Sequence, residues 1–541
     1  MRDPALDALI QLRRTRQRNR LGNLEWFETA YRVYIVALFG GGTVLWISAS
    51  IGDEPVSAAT AAEIARNAPA VLGLLAILAL MIGMRSGAQG GPLALEAADV
   101  SYVMLSPVDR SRALLRPAVQ RMRSAGFAGV VAGLIIGQLA GRRLPGSLLA
   151  WACGGALFGV TVALLWVGPA LVAHAVRLPL WLATTIGLTA LAWQAAAVVW
   201  HVPAPGTLAG GLALWGWRQH PVELLATAAG VALVVAGLAM LARTSLDALA
   251  RRSSLVAQLR FAVTMQDIRT VVLLRRQLNQ ERTRQRPWVQ LRRGNRGHAI
   301  WRRGWHSLFR MPASRLVRMA AIAAAAGVME GLVVRGTSPA VFGAAVLLFL
   351  LGLEVMEPLS QEIDQPDRTD ALPIERGELL VRHLIAPSVA LVPFAVIAAT
   401  AGVLTYGTTS AIPVAAIMAL PIVLSGAAGG VVSIVRDASD PMRLEGQTTM
   451  MMPEMAGLSM VLRVLVPLVV SALGVSSIIF VRLAGRAGEN TTAAALRGAL
   501  VSLLVAFAVG AWVRLGDRMK KKFRAFMAEG RSHTSQQRRV S

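Results

Sequence analysis

The sequence predicts an all-α integral membrane protein of about twelve transmembrane helices, arranged as two tandem parallel six-helix repeats. Three observations predict it. First, 55% of the 541 residues are hydrophobic and only 16% are charged, with a mean hydropathy of +0.54; that is too little polarity to clothe a soluble chain of this size. Second, apolar stretches of about 17 to 25 residues recur, the length at which a helix crosses hydrocarbon while satisfying its own backbone. Third, a polar phrase, LSPVDRSRALLR at 105–116, returns near half a chain-length later as ALPIERGELLVR at 371–382. The alternation over about ten residues that marks a membrane β-strand does not occur.

Residues 1–30 form a basic N-terminal segment that ends in an amphipathic stretch, NLEWFETAYR, in which Leu24, Phe27 and Tyr31 share a helical face. The first half, 31–242, holds apolar spans at about 31–51, 68–84, 124–140, 147–171, 178–200 and 222–242. A basic linker follows at 243–314 and closes with IWRRGWHSLFR, where Trp301, Trp305 and Leu308 lie opposite arginines. Aromatics facing arginines at that spacing suit a helix lying in the membrane interface. The second half, 315–515, holds spans at about 316–334, 338–356, 386–406, 411–434, 459–481 and 496–515, and a basic tail completes the chain at 516–541.

Charge orients these spans. Residues 1–32 carry seven arginines, 243–310 carry sixteen against three acids, and 514–541 carry nine Lys or Arg. With twelve spans all three segments face one side, which the positive-inside rule makes the cytoplasm. The expectation is therefore a multi-pass protein of the cell membrane with both termini cytoplasmic, its basic segments beside anionic lipid. Arg142 and Arg143, in a short loop on the opposite side, run against the rule. The net charge of +25 is spread by membrane side rather than gathered on one domain, which argues against a nucleic-acid partner. The N-terminus lacks the apolar core of a cleaved signal peptide. Cys153 is the only cysteine, so no intrachain disulfide is expected.

Each copy of the phrase lies between the second and third spans of its half. Aligned without gaps, the copies share Pro107/Pro373, Arg110/Arg376, Leu114/Leu380 and Arg116/Arg382, with Asp109/Glu375 a conservative pair. Proline fixes a first-turn geometry, and the acid two residues on favours the positive end of a helix. The arginines then sit at the headgroups. Both loops are longer than a turn requires, and the excess, ALEAADVSYVML and LSQEIDQPDRTDA, predicts a short helix under the membrane in each half.

In the third span Gly129, Gly133, Gly137 and Gly141 recur every four residues, a bare stripe that admits a neighbouring helix. Ionisable residues in or beside spans are Glu330, Glu354, Arg463 and His201; Glu330 and Arg463 are the candidates for a transport pathway. All of them also lie near span ends, where snorkelling is cheap. The seven histidines show no metal-ligand spacing, and no Ser/His/Asp arrangement is apparent.

The layout resembles the permease subunits of ABC exporters with six spans per half. In that family an interfacial elbow helix precedes the first span, and a coupling helix between spans two and three docks on the ATPase. A Pro-hydrophobic-polar-Arg phrase then leads into span three. Here the phrase reads Pro107-Val108-Asp109-Arg110 and Pro373-Ile374-Glu375-Arg376, with acids where the family commonly has a serine. The resemblance implies separate ATP-binding cassette subunits as partners, with ATP and magnesium on those subunits and no cofactor or enzymatic activity on this chain. In agreement, no G-x-x-x-x-G-K-[ST] loop occurs. It also implies that the loops carrying Glu96, Asp99 and Asp109, and Glu362, Asp364, Asp367, Asp370 and Glu375, dock the partner. Read as residues alone, such a charge run is more often solvated than a docking surface, and a cation site comes last of the three. A twelve-span secondary transporter and a non-transporting membrane scaffold are the rival readings. The substrate is not written in a pathway of Leu, Val, Ala and Gly.

Overall fold

The computed structural model describes residues 56–93, 99–104, 109–264, 284–290, 299–363, 373–437 and 465–540, with single positions elsewhere. Those residues form helices and their connections, with no strand among them. Nine of the described helices are long and apolar enough to cross a membrane, or up to eleven if each of two bent pairs is one span. They coincide with the second to twelfth spans expected from the sequence. The first span, at 31–51, and the elbow stretch before it lie outside the described residues, apart from single positions. The chain divides into two compact units, Met1–Met265 with Thr270–Gln280, and Gln266–Arg269 with Glu281–Ser541.

In the first unit α1 (Ala58–Ala88), α2 (Arg110–Ala140), α3 (Leu148–Ala175) and α4 (Leu180–Trp200) precede a short α5 (Pro205–Leu212), then α6 (Leu224–Ala239) and α7 (Leu246–Thr264). The central element is α3, which packs against α1, α2 and α6. Its contact with α2 is made by the glycine stripe. A Cβ added to Gly129, Gly133 or Gly137 would fall 2.3, 2.0 or 2.2 Å from the carbonyl oxygen of Gly159, Gly155 or Trp151, and one on Gly141 would meet the Trp151 side chain. In lipid no hydrophobic effect drives helices together, so close backbone packing of this kind has to do it. Segment 201–223 folds onto the end of α1. Gly210 packs on the Pro69 carbonyl, Gly206 on Gly73, and Arg218 donates to the Ala65 carbonyl at 2.7 Å. Gln194 of α4, fully buried, locks the same place by donating to the Ala70 carbonyl at 2.8 Å.

The second unit opens with α8 (Ala299–Phe309) and α9 (Ala313–Arg335). The expected interfacial stretch is thus a helix, with Trp301 edge-on to Trp305 and Trp305 stacked on Phe309. Next come α10 (Ala340–Val355) and α11 (Glu357–Ile363), bent by 60° to one another, and α12 (Arg376–Ala390) and α13 (Val392–Tyr406), bent by 42°. Pro358 and Pro393 stand second in α11 and α13. Having no N–H to offer the preceding turn, they allow each break. Then follow α14 (Ala411–Asp437), the span Leu465–Ala487 whose second half is α15 (Ile478–Ala487), and α16 (Thr491–Val540). Glycine again sets the distances. Gly327 lies against the Ala398 carbonyl, Gly352 against Ala427, and Gly377 against the Arg514 carbonyl. Ser471 donates to the Gly426 carbonyl at 2.6 Å, and Ser477 shares a 2.7 Å hydrogen bond with Ser502.

One expectation changes in form. In the first half the described part of the predicted under-membrane helix is a single π turn, Asp99–Val103. Its neighbours bond elsewhere: Leu95 N–H donates to Ser253 Oγ of α7 at 3.0 Å, and Val100 and Met104 pack inward with Leu249. In the second half the stretch is helical through Ile363, and residues 364–372 lie outside the described residues.

The stripe yields a paired prediction. Gly133→Ala forces α2 and α3 apart and destabilises the first unit by about 1–3 kcal/mol. Gly126→Ala, on the same helix with its nearest neighbour 3.8 Å away, leaves stability unchanged or raises it by roughly 0.5–1 kcal/mol. Thermal unfolding of the detergent-solubilised variants separates the two.

Candidate functional site

Two sets of polar residues stand out, one found in each unit by itself and the other within the second unit alone. The first comprises the connections between the second and third expected spans. Asp109 is the N-cap of α2, its Oδ1 accepting from the Ser111 N–H at 3.0 Å and the Ser111 hydroxyl at 2.8 Å. Those bonds hold its carboxyl below the usual range. Glu375 is the N-cap of α12; its carbonyl accepts from Leu379 N–H at 3.0 Å, without a side-chain cap. Arg110 and Arg376 are therefore the first helical residues of α2 and α12, so the two copies of the phrase open their helices in the same register. Pro373, Asp109, Arg110 and Glu375 are exposed. Asp99 is half-buried in the π turn, beside Tyr102, which is 78% exposed. Glu96, Pro107, Asp364, Asp367 and Asp370 lie outside the described residues.

Glu362 differs from the rest of its loop. It is 1% exposed, with its carboxylate 2.9 Å from the Arg303 guanidinium of α8 and 3.6 Å from Nε2 of the buried His383 on α12. It ties the interfacial helix and α11 to α12 rather than facing outward, which removes it from a docking surface. Nearby, buried Arg315 holds Glu354 at 2.8 Å and Glu357 at 3.0 Å, and Arg318 holds the other Glu354 oxygen at 2.9 Å. Glu354, one of the ionisable residues beside a span, is thus a structural partner. His201 caps α4 in a left-handed conformation, φ 56°, with its ring 3.0 Å from Asn67 Oδ1.

The second region is a cavity of about 310 Å³ within the second unit, at the end reached by the C-termini of α9, α13 and α15 and the N-termini of α14 and α16. The local sequence explains the opening. The three arriving helices stop at Gly336, Gly407 and Gly488, with φ of 125°, 83° and 69°, a backbone region that glycine enters without a Cβ clash. Small residues line the inner wall: Gly331, Gly402, Ala399 and Ala415. Glu330 also lines it, buried, with Oε1 lacking any partner. Around it stand Arg335, which donates to the Tyr406 carbonyl at 3.3 Å, Arg482, which donates to Ser338 Oγ, and exposed Arg486. Glu330 was visible in the sequence as an ionisable residue in a span. The arginines were not, because each reads as an ordinary basic residue at a helix end. Arg463 lies outside the described residues. No group of three metal-ligating side chains occurs among the described residues.

The Arg315 cluster predicts a large stability effect. Arg315→Met takes the buried guanidinium from Glu357 and leaves Glu354 with Arg318 as its remaining guanidinium, and removing one member of a buried ion pair costs about 3–5 kcal/mol. The variant should melt well below the wild type in the same detergent.

No curated protein and no solved structure matches the chain. The sequence model of a family of unknown function, DUF6297, matches residues 62–446, from the first turns of α1 to beyond α14. That match spans more than half of the sequence, and the chain belongs to this family.

Proposed function

We propose that the chain is the membrane-spanning permease component of an ATP-driven exporter, taking its energy from a separate ATP-binding cassette subunit. The observation that carries the reading is the common register of the repeated phrase. In each unit an acid stands at the N-cap, and an arginine at the first position, of the helix that follows the connection between the second and third spans. Two equivalent helix entries are what a dimeric motor needs in order to act on both halves. On this reading the halves are tandem parallel six-span repeats with both termini cytoplasmic, and substrate crosses between spans rather than through a chemical site.

The docking surface is the exposed part of the two loops, with Tyr102 and Asp109 in the first and Pro373 and Glu375 in the second. Glu362 acts behind it, transmitting displacement of α11 to α8 and α12 through Arg303 and His383. A twelve-span secondary transporter is the second reading, and one observation favours it: the buried carboxyl of Glu330 beside a cavity, a natural place for a coupling cation.

The readings separate in reconstituted vesicles. Co-expressed with a phosphate-loop ATPase subunit from the same genome, the chain should form a complex whose ATP hydrolysis falls roughly 5- to 150-fold when Asp109-Arg110 and Glu375-Arg376 are replaced by alanines, the range typical of a lost coupling free energy. A chain that binds no ATPase and moves solute on an imposed proton gradient would overturn the exporter reading in favour of the second.

A further inference from the structure

We propose that the Glu330 cavity is a binding site for a small zwitterion, with its ammonium group at Glu330 and its phosphate or carboxylate at the arginines of the wall. The inference does not rest on the exporter reading, since it concerns binding to the chain alone.

The two signs of charge carry it. Glu330 is buried, yet among the described residues one of its carboxylate oxygens has no hydrogen-bond partner and no ion pair reaches the group. A carboxyl removed from water without a partner is costly, and a cation placed in the cavity supplies the missing contact. The three helices that end around the cavity turn their C-terminal carbonyls, the negative ends of their dipoles, towards the same region. A simple cation, however, would also meet Arg335, Arg482 and Arg486, which line the same space. A simple anion would suit the arginines, whose planar forks match phosphate and carboxylate, but would approach Glu330. Only a molecule carrying both charges answers both walls. Glu330 and Arg335 are five residues apart on α9, about 7.5 Å along the axis, so the ligand's charges lie several ångströms apart. Val403, Val414 and Met418 complete the lining and suit a short alkyl portion.

In the first unit the fifth and sixth spans are joined by residues 201–223, whose α5 packs on α1. In the second unit the equivalent connection is only Gly488–Asn490, and the space stays open.

The chemistry has two sources, an aminophospholipid headgroup or a soluble zwitterion. Native mass spectrometry of the full chain in detergent, titrated with phosphatidylethanolamine, phosphatidylglycerol and O-phosphoethanolamine, distinguishes them. The expected result is that one of the two ethanolamine compounds binds more tightly than phosphatidylglycerol. Glu330→Gln, which preserves shape and hydrogen-bonding size, should erase that preference with a loss of roughly tenfold or more. Ala415→Trp, which fills the cavity and keeps every charge, should abolish binding. Tight binding of the lipid alone identifies the headgroup, and of the soluble compound alone, a solute. The proposal is overturned if neither ethanolamine compound outbinds phosphatidylglycerol, or if the preference survives in Glu330→Gln. Loss of the preference with wild-type thermal unfolding of the apo-protein excludes misfolding as its cause.

Discussion

Close approach of bare helix backbones is the constraint on which the rest of this structure depends. Hydrocarbon offers no solvent to flee, so helices are held by contacts at van der Waals range and by the few polar groups that find partners. In the first unit Gly129, Gly133 and Gly137 face Gly159, Gly155 and Trp151 so closely that a single methyl does not fit between them. In the second, Gly327, Gly352 and Gly377 do the same for different pairs. Once these distances are fixed, serines such as Ser471 and Ser477 reach carbonyls and hydroxyls on neighbouring helices, and buried hydrogen bonds become attainable.

Against that apolar framework, the charged side chains divide by depth and by end. Towards the end where α8 meets α11, arginines are consumed in compact pairs: Arg303 with Glu362, Arg315 with Glu354 and Glu357, Arg318 with Glu354. The described acids there serve mostly to join interfacial and spanning helices. Towards the opposite end, the balance is left incomplete. Three arginines and one carboxyl share the wall of a cavity, and the carboxyl keeps an oxygen without a hydrogen-bond partner among the described residues.

Much of the architecture was legible because its signals are local and strong. Eleven of the twelve apolar stretches appear as helices or bent pairs of helices, since length and hydropathy decide that outcome almost alone. The glycine stripe was legible because its four-residue period has one physical use. Asp109 and Glu375 announced helix starts because capping chemistry acts within three residues. The interfacial helix over Ala299–Phe309 followed from its aromatic face. What escaped was whatever required knowing which helices meet. Glu362 looked like one more acid in a solvated run until Arg303 and His383 were seen to close over it. Glu354 looked like an isolated charge beside a span until Arg315 and Arg318 claimed it. The first under-membrane segment read as a helix, but Ser253, more than 150 residues away, took its backbone bond. The cavity arises where three helices stop at glycines around small residues of their neighbours, and helix ends carry no mark of which other ends they meet.

The charge pattern of α9 also bears on how the protein is made. This helix carries Arg315 and Arg318 at one end and Glu330 and Arg335 towards the other, where a charge costs less than the roughly 2.5–3.5 kcal/mol it costs at a helix centre. The partners of Arg315 lie 39 and 42 residues later in the chain. Its buried ion pairs therefore close only after α10 and α11 have been made, so the second unit acquires them late in its own synthesis.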